Sequence, residues 1–183
     1  MRQGEAFLTT NQPGATADAW REASRIGARI ILADWIQCLP SCSPLEQGMG
    51  IATHFASISG SLFGFWLSTL SSSRFVNEFG DRKLCTDAIL TVINKGGEAL
   101  AFSDDDGVKH LETLRPGLFA KMLAAGTVEK FADADALAKA YRMDPAKLRA
   151  AIAEYNDNLA KKSDPKFGRR FDKAAKPIGS GPY

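Results

Sequence analysis

The chain has 183 residues, 45% of them hydrophobic and 24% charged, with a formal net charge of +2. That length suits one domain or a domain with an appendage, large enough to bury a core without staples. The composition is that of an ordinary globular protein, and so small a net charge gives no argument for a nucleic-acid partner.

Residues 9–16, TTNQPGAT, are turn chemistry. A helix is expected from about Ala17 to Gly27, with Ala19, Ala23 and Ile26 on one face and Gly27 as its stop. RIILADWI, residues 29–36, is rich in β-formers and reads as a strand. CLPSCSPLEQGMG reads as loop, and a break near residues 40–50 separates an α/β fragment from an α+β module. LFGFWLST, residues 62–69, is expected to be a buried strand in which Gly64 permits close backbone approach. LSSS turns it into a return strand, RFVNE, which completes a β-hairpin. Leu84, Ala88, Ile89, Val92 and Ile93 recur at helical spacing up to Gly96 and Gly97. ALAF, residues 99–102, is a short strand running into SDDDG.

The last third reads as helical. RPGLFAKMLAAG gives a short helix, and DADALAKAY starts on an Asp with Leu137 and Tyr141 four apart. In DPAKLRAAIAEYNDNLAKK, Asp144 can cap and Pro145 suits the first helical position. Leu148, Ile152, Tyr155 and Leu159 form its apolar stripe. Beyond Asp164 the chain is expected to be irregular.

The chemical inventory is thin. His54, beside Phe55, reads as a packed structural residue, and His110 as a surface one. Asp104, Asp105 and Asp106 lack the spacing of a calcium loop and read as a helix cap or turn. Three cysteines, Cys38, Cys42 and Cys85, describe neither a disulfide scaffold nor a zinc site, and no metal is expected. They point to reduced thiols in a cytoplasmic protein. The opening Met-Arg-Gln-Gly-Glu lacks a signal-peptide layout. Residues 58–70, broken by Ser59, Gly60, Ser61, Gly64 and Ser68, are too short and polar to span a membrane. Lys161-Lys162 and Arg169-Arg170 read as a basic tail on a solvated surface. There is no GxGxxG and no GxSxG, so spacing alone shows no means of holding a nucleotide.

Seven segments, in order, nevertheless resemble one family. TNQPGATADAW resembles a pattern T-N-x-P-G-A-T-G-D-G, and ADWIQCLPSCSP resembles M-x-x-I-Q-x-H-P-T-x-x-P. RFVNEFGDRK resembles R-F-V-N-E-x-x-x-R-D, and EALAFSDDDGVKH looks like a strand written A-Y-x-I-F-D-D. The segment from Ala132 to Asn156, then SDPKFGRR with its D-x-x-F-G-R, and finally PIGSGPY continue the series. These are the patterns of the flavin-dependent fumarate reductases in the succinate dehydrogenase/fumarate reductase flavoprotein superfamily, with its flavocytochrome-type enzymes, urocanate reductases and ketosteroid dehydrogenases.

The resemblance implies an α+β fold: a cap (clamp) domain over residues 46–178, a fragment of an FAD-binding domain over residues 1–45, and a return segment at 179–183. It implies FAD as cofactor and reduction, or dehydrogenation, of a C=C bond next to a carbonyl or carboxylate of a small-molecule substrate. Asp18 takes the place of the family's FAD-contacting aspartate, although Ala17 and Ala19 replace its flanking glycines. Arg82 takes the place of the arginine that delivers a proton to substrate. A guanidinium gives up a proton only beside a relay that returns one, but it can also stabilise a carboxylate or enolate. The reading that needs no chemistry has Arg82 capping or pairing on its helix, with Asp81 as its partner. Elsewhere the family pattern is lost. Leu39 stands where the substrate-binding histidine would be, Ser41 replaces the threonine, and ASISGS at 56–61 has neither the acid nor the arginine of the substrate loop. The chain alone is therefore expected to be inactive and FAD-free. It would need a separate FAD-domain chain, or else it persists as a non-catalytic, self-associating module whose apolar residues 58–70 seek a partner.

Overall fold

The computed structural model describes residues 8–48 and 50–183, so readings that rest on the first seven residues or on Met49 lie outside it. Its centre is an antiparallel three-stranded sheet in the order β2-β1-β3. β1 (Gly64–Ser68) is buried throughout because both of its faces are covered. It pairs with β2 (Ser73–Arg74) through Leu67↔Arg74 and Ser68↔Ser73, and with β3 (Ala99–Ser103) from Gly64↔Ser103 to Ser68↔Ala99. The hairpin stands as read, but its return strand is only two residues long. Beyond Arg74 the chain turns under β1 instead of continuing the ladder.

Side chains alternate across the sheet. Phe65, Leu67 and Phe102 face one side, where α7 (Ala134–Ala140) and α8 (Pro145–Lys161) cover them with Leu137, Leu148, Ile152 and Tyr155. Phe65 lies 5.0 Å from the Phe102 ring and 5.5 Å from that of Tyr155. Trp66 and Ala101 face the other side, packed with Val76 and with Cys85, Ala88 and Ile89 of α4 (Arg82–Asn94). Each large apolar side chain so buried contributes about 1.5–3 kcal/mol.

α8 forms as its sequence dictates. The Asp144 carboxylate accepts the Ala146 and Lys147 N–H groups at 2.9 and 3.1 Å, and Pro145 takes the first turn. Asp144→Ala should therefore cost about 1 kcal/mol in urea unfolding, with Asp144→Asn close to wild type. α5 (Asp105–Leu114) is capped by Asp104 through Asp106 N–H and Gly107 N–H, as the cap-or-turn reading has it. α6 (Leu118–Ala124) is the expected short helix.

Two expectations are corrected. Residues 29–36 form no strand: Ile31, Leu32 and Trp35 are 66%, 60% and 76% exposed, and no ladder partner lies beside them among the described residues. The β preference of that stretch is a preference for a half-buried pleated surface, and none is offered. The preceding helix α1 (Asp18–Arg25) does form, yet it buries no residue. The stretch before β1 is helical, as the turns α2 (Ala52–His54) and α3 (Gly60–Leu62) joined by a π-helical segment Phe55–Ser59. Finally, the apolar run 58–70 is no exposed patch, since residues 59–61 and 63–68 are buried in the sheet and beneath it.

Candidate functional site

The loop that follows β2 leads to Arg82. Its base is a cluster of four buried charges drawn from two distant stretches. Arg74 donates through Nε to Glu78 Oε1 at 2.7 Å and through Nη2 to Oε2 at 2.8 Å. Its Nη1 reaches Asp164 Oδ2 at 2.6 Å. Glu78 also accepts the Trp66 N–H at 3.0 Å and Arg169 Nη1 at 3.2 Å. Arg169 goes on to the carbonyls of Gly64 (2.8 Å) and Ser61 (2.6 Å). Two guanidiniums and two carboxylates cancel, and most of the remaining donors and lone pairs meet backbone groups, which offsets much of the cost of burial, although Arg169 Nε–H is buried with no hydrogen-bond partner among the described residues. The Arg169 guanidinium also lies 5.1 Å from the rings of Phe79, Tyr155 and Phe171.

Arg169 is thus the opposite of the solvated basic tail read from Arg169-Arg170; only Arg170 is exposed. Adjacent arginines look alike in a sequence, and only their partners, some 90 positions upstream, distinguish them. The available signal lies in the motifs themselves: R-F-V-N-E supplies one arginine and one acid, and D-x-x-F-G-R the complementary pair.

Burial alone would push the Asp164 carboxyl up, but Arg74 and the N–H groups of Phe167 and Arg169 outweigh it and hold it below the usual carboxylate value. For Arg74 too, burial opposes the charge, and Glu78 with Asp164 reverses the balance and raises its pKa.

From this base the chain climbs through Asn77, whose carbonyl accepts the Gly80 N–H at 2.9 Å, to Asp81. Asp81 caps α4 by accepting the Leu84 N–H at 2.8 Å, so it does not pair with Arg82. Arg82, the first residue of α4, is exposed and donates Nη1 to Gln37 Oε1. That contact joins the DWIQCLP segment to the RFVNEFGDRK segment across 45 positions. No carboxylate or imidazole partners Arg82 among the described residues. Its chemistry there is that of a fixed planar cation, suited to a carboxylate or a developing enolate.

Asp18 is not brought to Arg82. It lies in the first turn of α1, exposed, bound by Thr16 Oγ1 at 2.7 Å and by Arg21. Ala17 before it holds φ 58°, a left-handed conformation that suits the glycine of the resembled pattern better than alanine. The stretch 56–61 spends its polar groups internally: the Ala56 carbonyl accepts Ser61 Oγ and Trp66 Nε1, and Ser59 Oγ donates to Gly107 O. His54 is half-buried, and His110 is not a free surface residue but packs at a tilt against Phe63, with ring centroids 4.6 Å apart. Among the described residues no three His, Cys, Asp or Glu side chains are grouped to hold a metal, and no helix is long and apolar enough to cross a membrane.

A family model described as FAD binding domain matches residues 1–183. The chain is 34% identical over 178 residues to the acrylate reductase flavoprotein subunit of Shewanella woodyi, covering 95% of this chain and 34% of that protein. It is 27% identical to a urocanate reductase of Eggerthella lenta, over 98% of this chain and 28% of the relative. It is 29% identical to a fumarate reductase (cytochrome) of Shewanella frigidimarina, over 90% and 27%. It also superposes on the open conformation of a flavocytochrome c3 fumarate reductase with a TM-score of 0.64 and 22% identity, covering 96% of this chain and 28% of that one. The chain therefore spans between about a quarter and a third of the length of these relatives.

Proposed function

This chain belongs to the FAD binding domain family, among the FAD-dependent fumarate-reductase-like flavoproteins, and from that premise we propose that it is part of an FAD-dependent oxidoreductase of the fumarate reductase type. In this reading residues 46–178 are the cap domain, residues 1–45 are one edge of the cofactor domain, and 179–183 return toward it. The completed enzyme reduces, or forms, a C=C bond next to a carbonyl or carboxylate. Acrylate, urocanate and fumarate, after which three relatives are named, are all unsaturated carboxylates. The observation that carries the reading is the Arg82–Gln37 contact, which brings two of the resembled motifs to one place. Arg82 there binds the substrate carboxylate and stabilises the enolate charge that develops on it.

The residues present do not by themselves fit FAD. From residue 8 to 37 every described side chain except Ala23 and Ser24 is exposed, and the carboxylate of Asp18 is already engaged by Thr16 and Arg21. They offer a contact wall without an enclosing cradle, and no catalytic step follows from them alone. The proposal is therefore that these 183 residues are FAD-free and inert until FAD-domain residues complete the site. The test is gel filtration of the purified chain after incubation with excess FAD. No flavin absorbance should co-elute, and a stoichiometric flavin band would overturn the FAD-free reading. A second reading, a non-catalytic module derived from the cap, is favoured by Leu39 and by the uncharged 56–61 stretch. It would be preferred if added FAD-domain residues restored flavin binding without any reductase activity.

A further inference from the structure

The β3 side of the sheet is an open edge. Thr69 N–H donates to Glu98 O at 3.0 Å, which continues the β1–β3 ladder. In antiparallel alternation Glu98, Leu100 and Phe102 therefore turn their backbone groups toward β1, while Ala99 and Ala101 turn theirs outward. Among the described residues nothing accepts from or donates to those outward groups. The strand also carries none of the usual guards of an edge, having no lysine, no proline and no bulge.

This edge opens into a cleft of about 840 Å³. Ile89 and Ile93 line one wall, and Val128, Phe131 and Tyr141 another. The charged residues on its lining are Glu98 and Glu129, both acidic. Their field is felt locally: burial, then Glu129 and Glu98, push the Tyr141 hydroxyl up to about 12. An occupant should be extended, apolar and basic at one position. The same chain presents such a segment elsewhere. Residues 28–31, Ala-Arg-Ile-Ile, follow α1 without helix or ladder. Ile30 and Ile31 are 42% and 66% exposed, and Arg29 is exposed with no ion pair among the described residues. One chain thus holds a strand-forming segment without a sheet and a sheet edge without a strand.

We propose that two copies of this chain associate by strand addition, residues 28–31 of each pairing with the Ala99–Ser103 edge of the other and Arg29 facing Glu98 and Glu129. Reciprocal exchange closes a two-fold dimer with two such ladders, which leaves no open end to propagate. The association needs no flavin, so its failure and that of the flavoprotein reading are separate results.

Sedimentation equilibrium of the full chain tests it. Wild type should dimerise. Ile31→Lys, at an exposed site where folding is not at stake, should weaken the dimer by at least about tenfold, as should Ala101→Pro, which removes an outward N–H. Arg29→Glu should weaken it, and combining that change with Glu98→Lys and Glu129→Lys should restore it, as a merely unfolded variant could not. A wild-type chain that stays monomeric across the concentration range overturns the proposal, and so does a dimer indifferent to Ile31→Lys or not rescued by the charge exchange.

Discussion

Glu78→Ala should be among the most damaging single substitutions in the chain. It removes the carboxylate that Arg74 and Arg169 share and leaves two guanidiniums buried against one acid. Deleting one member of a buried, hydrogen-bonded charge cluster costs about 3–5 kcal/mol. A domain of this size has about 5–15 kcal/mol in all, so the urea midpoint should fall by a large fraction or the fold should be lost. Arg169→Ala should behave alike, because it also strips donors from the Gly64 and Ser61 carbonyls. The double variant should cost less than the sum, since each change removes part of the reason the other residue is needed. Arg82→Ala, at an exposed site, should stay within about 0.5 kcal/mol of wild type. A Glu78→Ala chain that unfolds with a near-native midpoint would show that the cluster does not hold the loop. The same cluster sets an acid limit. Asp164 has its pKa depressed in the folded chain, so its stabilisation is present above the unfolded carboxylate value of about 3.9. It is lost as the pH falls through its lower folded value. Stability should therefore decline below about pH 4, and Asp164→Asn should remove that part of the decline.

What could be read in the sequence was what is decided locally. Asp144-Pro145 followed by an apolar stripe specifies α8 without help from the rest of the chain. Likewise, Asp81 and Asp104 each announce a helix through a side chain that reaches two or three residues ahead. Gly64 within an apolar run announces a close crossing. The failures share one cause. Whether residues 29–36 become a strand depends on a neighbour, and whether Arg169 is buried depends on Glu78 across 91 positions. No window of ten residues contains that information. The helical stretch Ala52–Leu62 escaped because its glycine and serines are poor helix formers and its burial under β3 and α5 overrides them. Arg82 is a different case. As a residue type at a helix start it says little, and its distinction comes from the resembled motif and then from the partner the fold gives it.

Gly64→Ala should rival the loss of Glu78, by a purely steric route. A Cβ on residue 64 would lie 1.8 Å from the Phe102 carbonyl oxygen, 2.9 Å from its carbon and 3.1 Å from Ser103 Cα. All three are backbone atoms of β3, so no side chain can swing aside, and the β1–β3 ladder itself must open. Overpacking of a core usually costs about 1–3 kcal/mol, and this site should exceed that range because the relief is paid in ladder hydrogen bonds. Gly97→Ala is the control. Its Cβ would meet the Leu70 side chain at 2.4 Å, but Leu70 is half exposed and free to move, so the change should cost under about 1 kcal/mol. If the two substitutions had equal effects on the urea midpoint, close backbone approach would not be what fixes Gly64. The consequence also reaches the candidate site. β1 offers the Gly64 carbonyl to Arg169 and the Trp66 N–H to Glu78, and these hold the loop that delivers Arg82 to Gln37. Displacing β1 by one methyl group should therefore loosen the position of Arg82 through the Glu78 loop, without touching Arg82 itself.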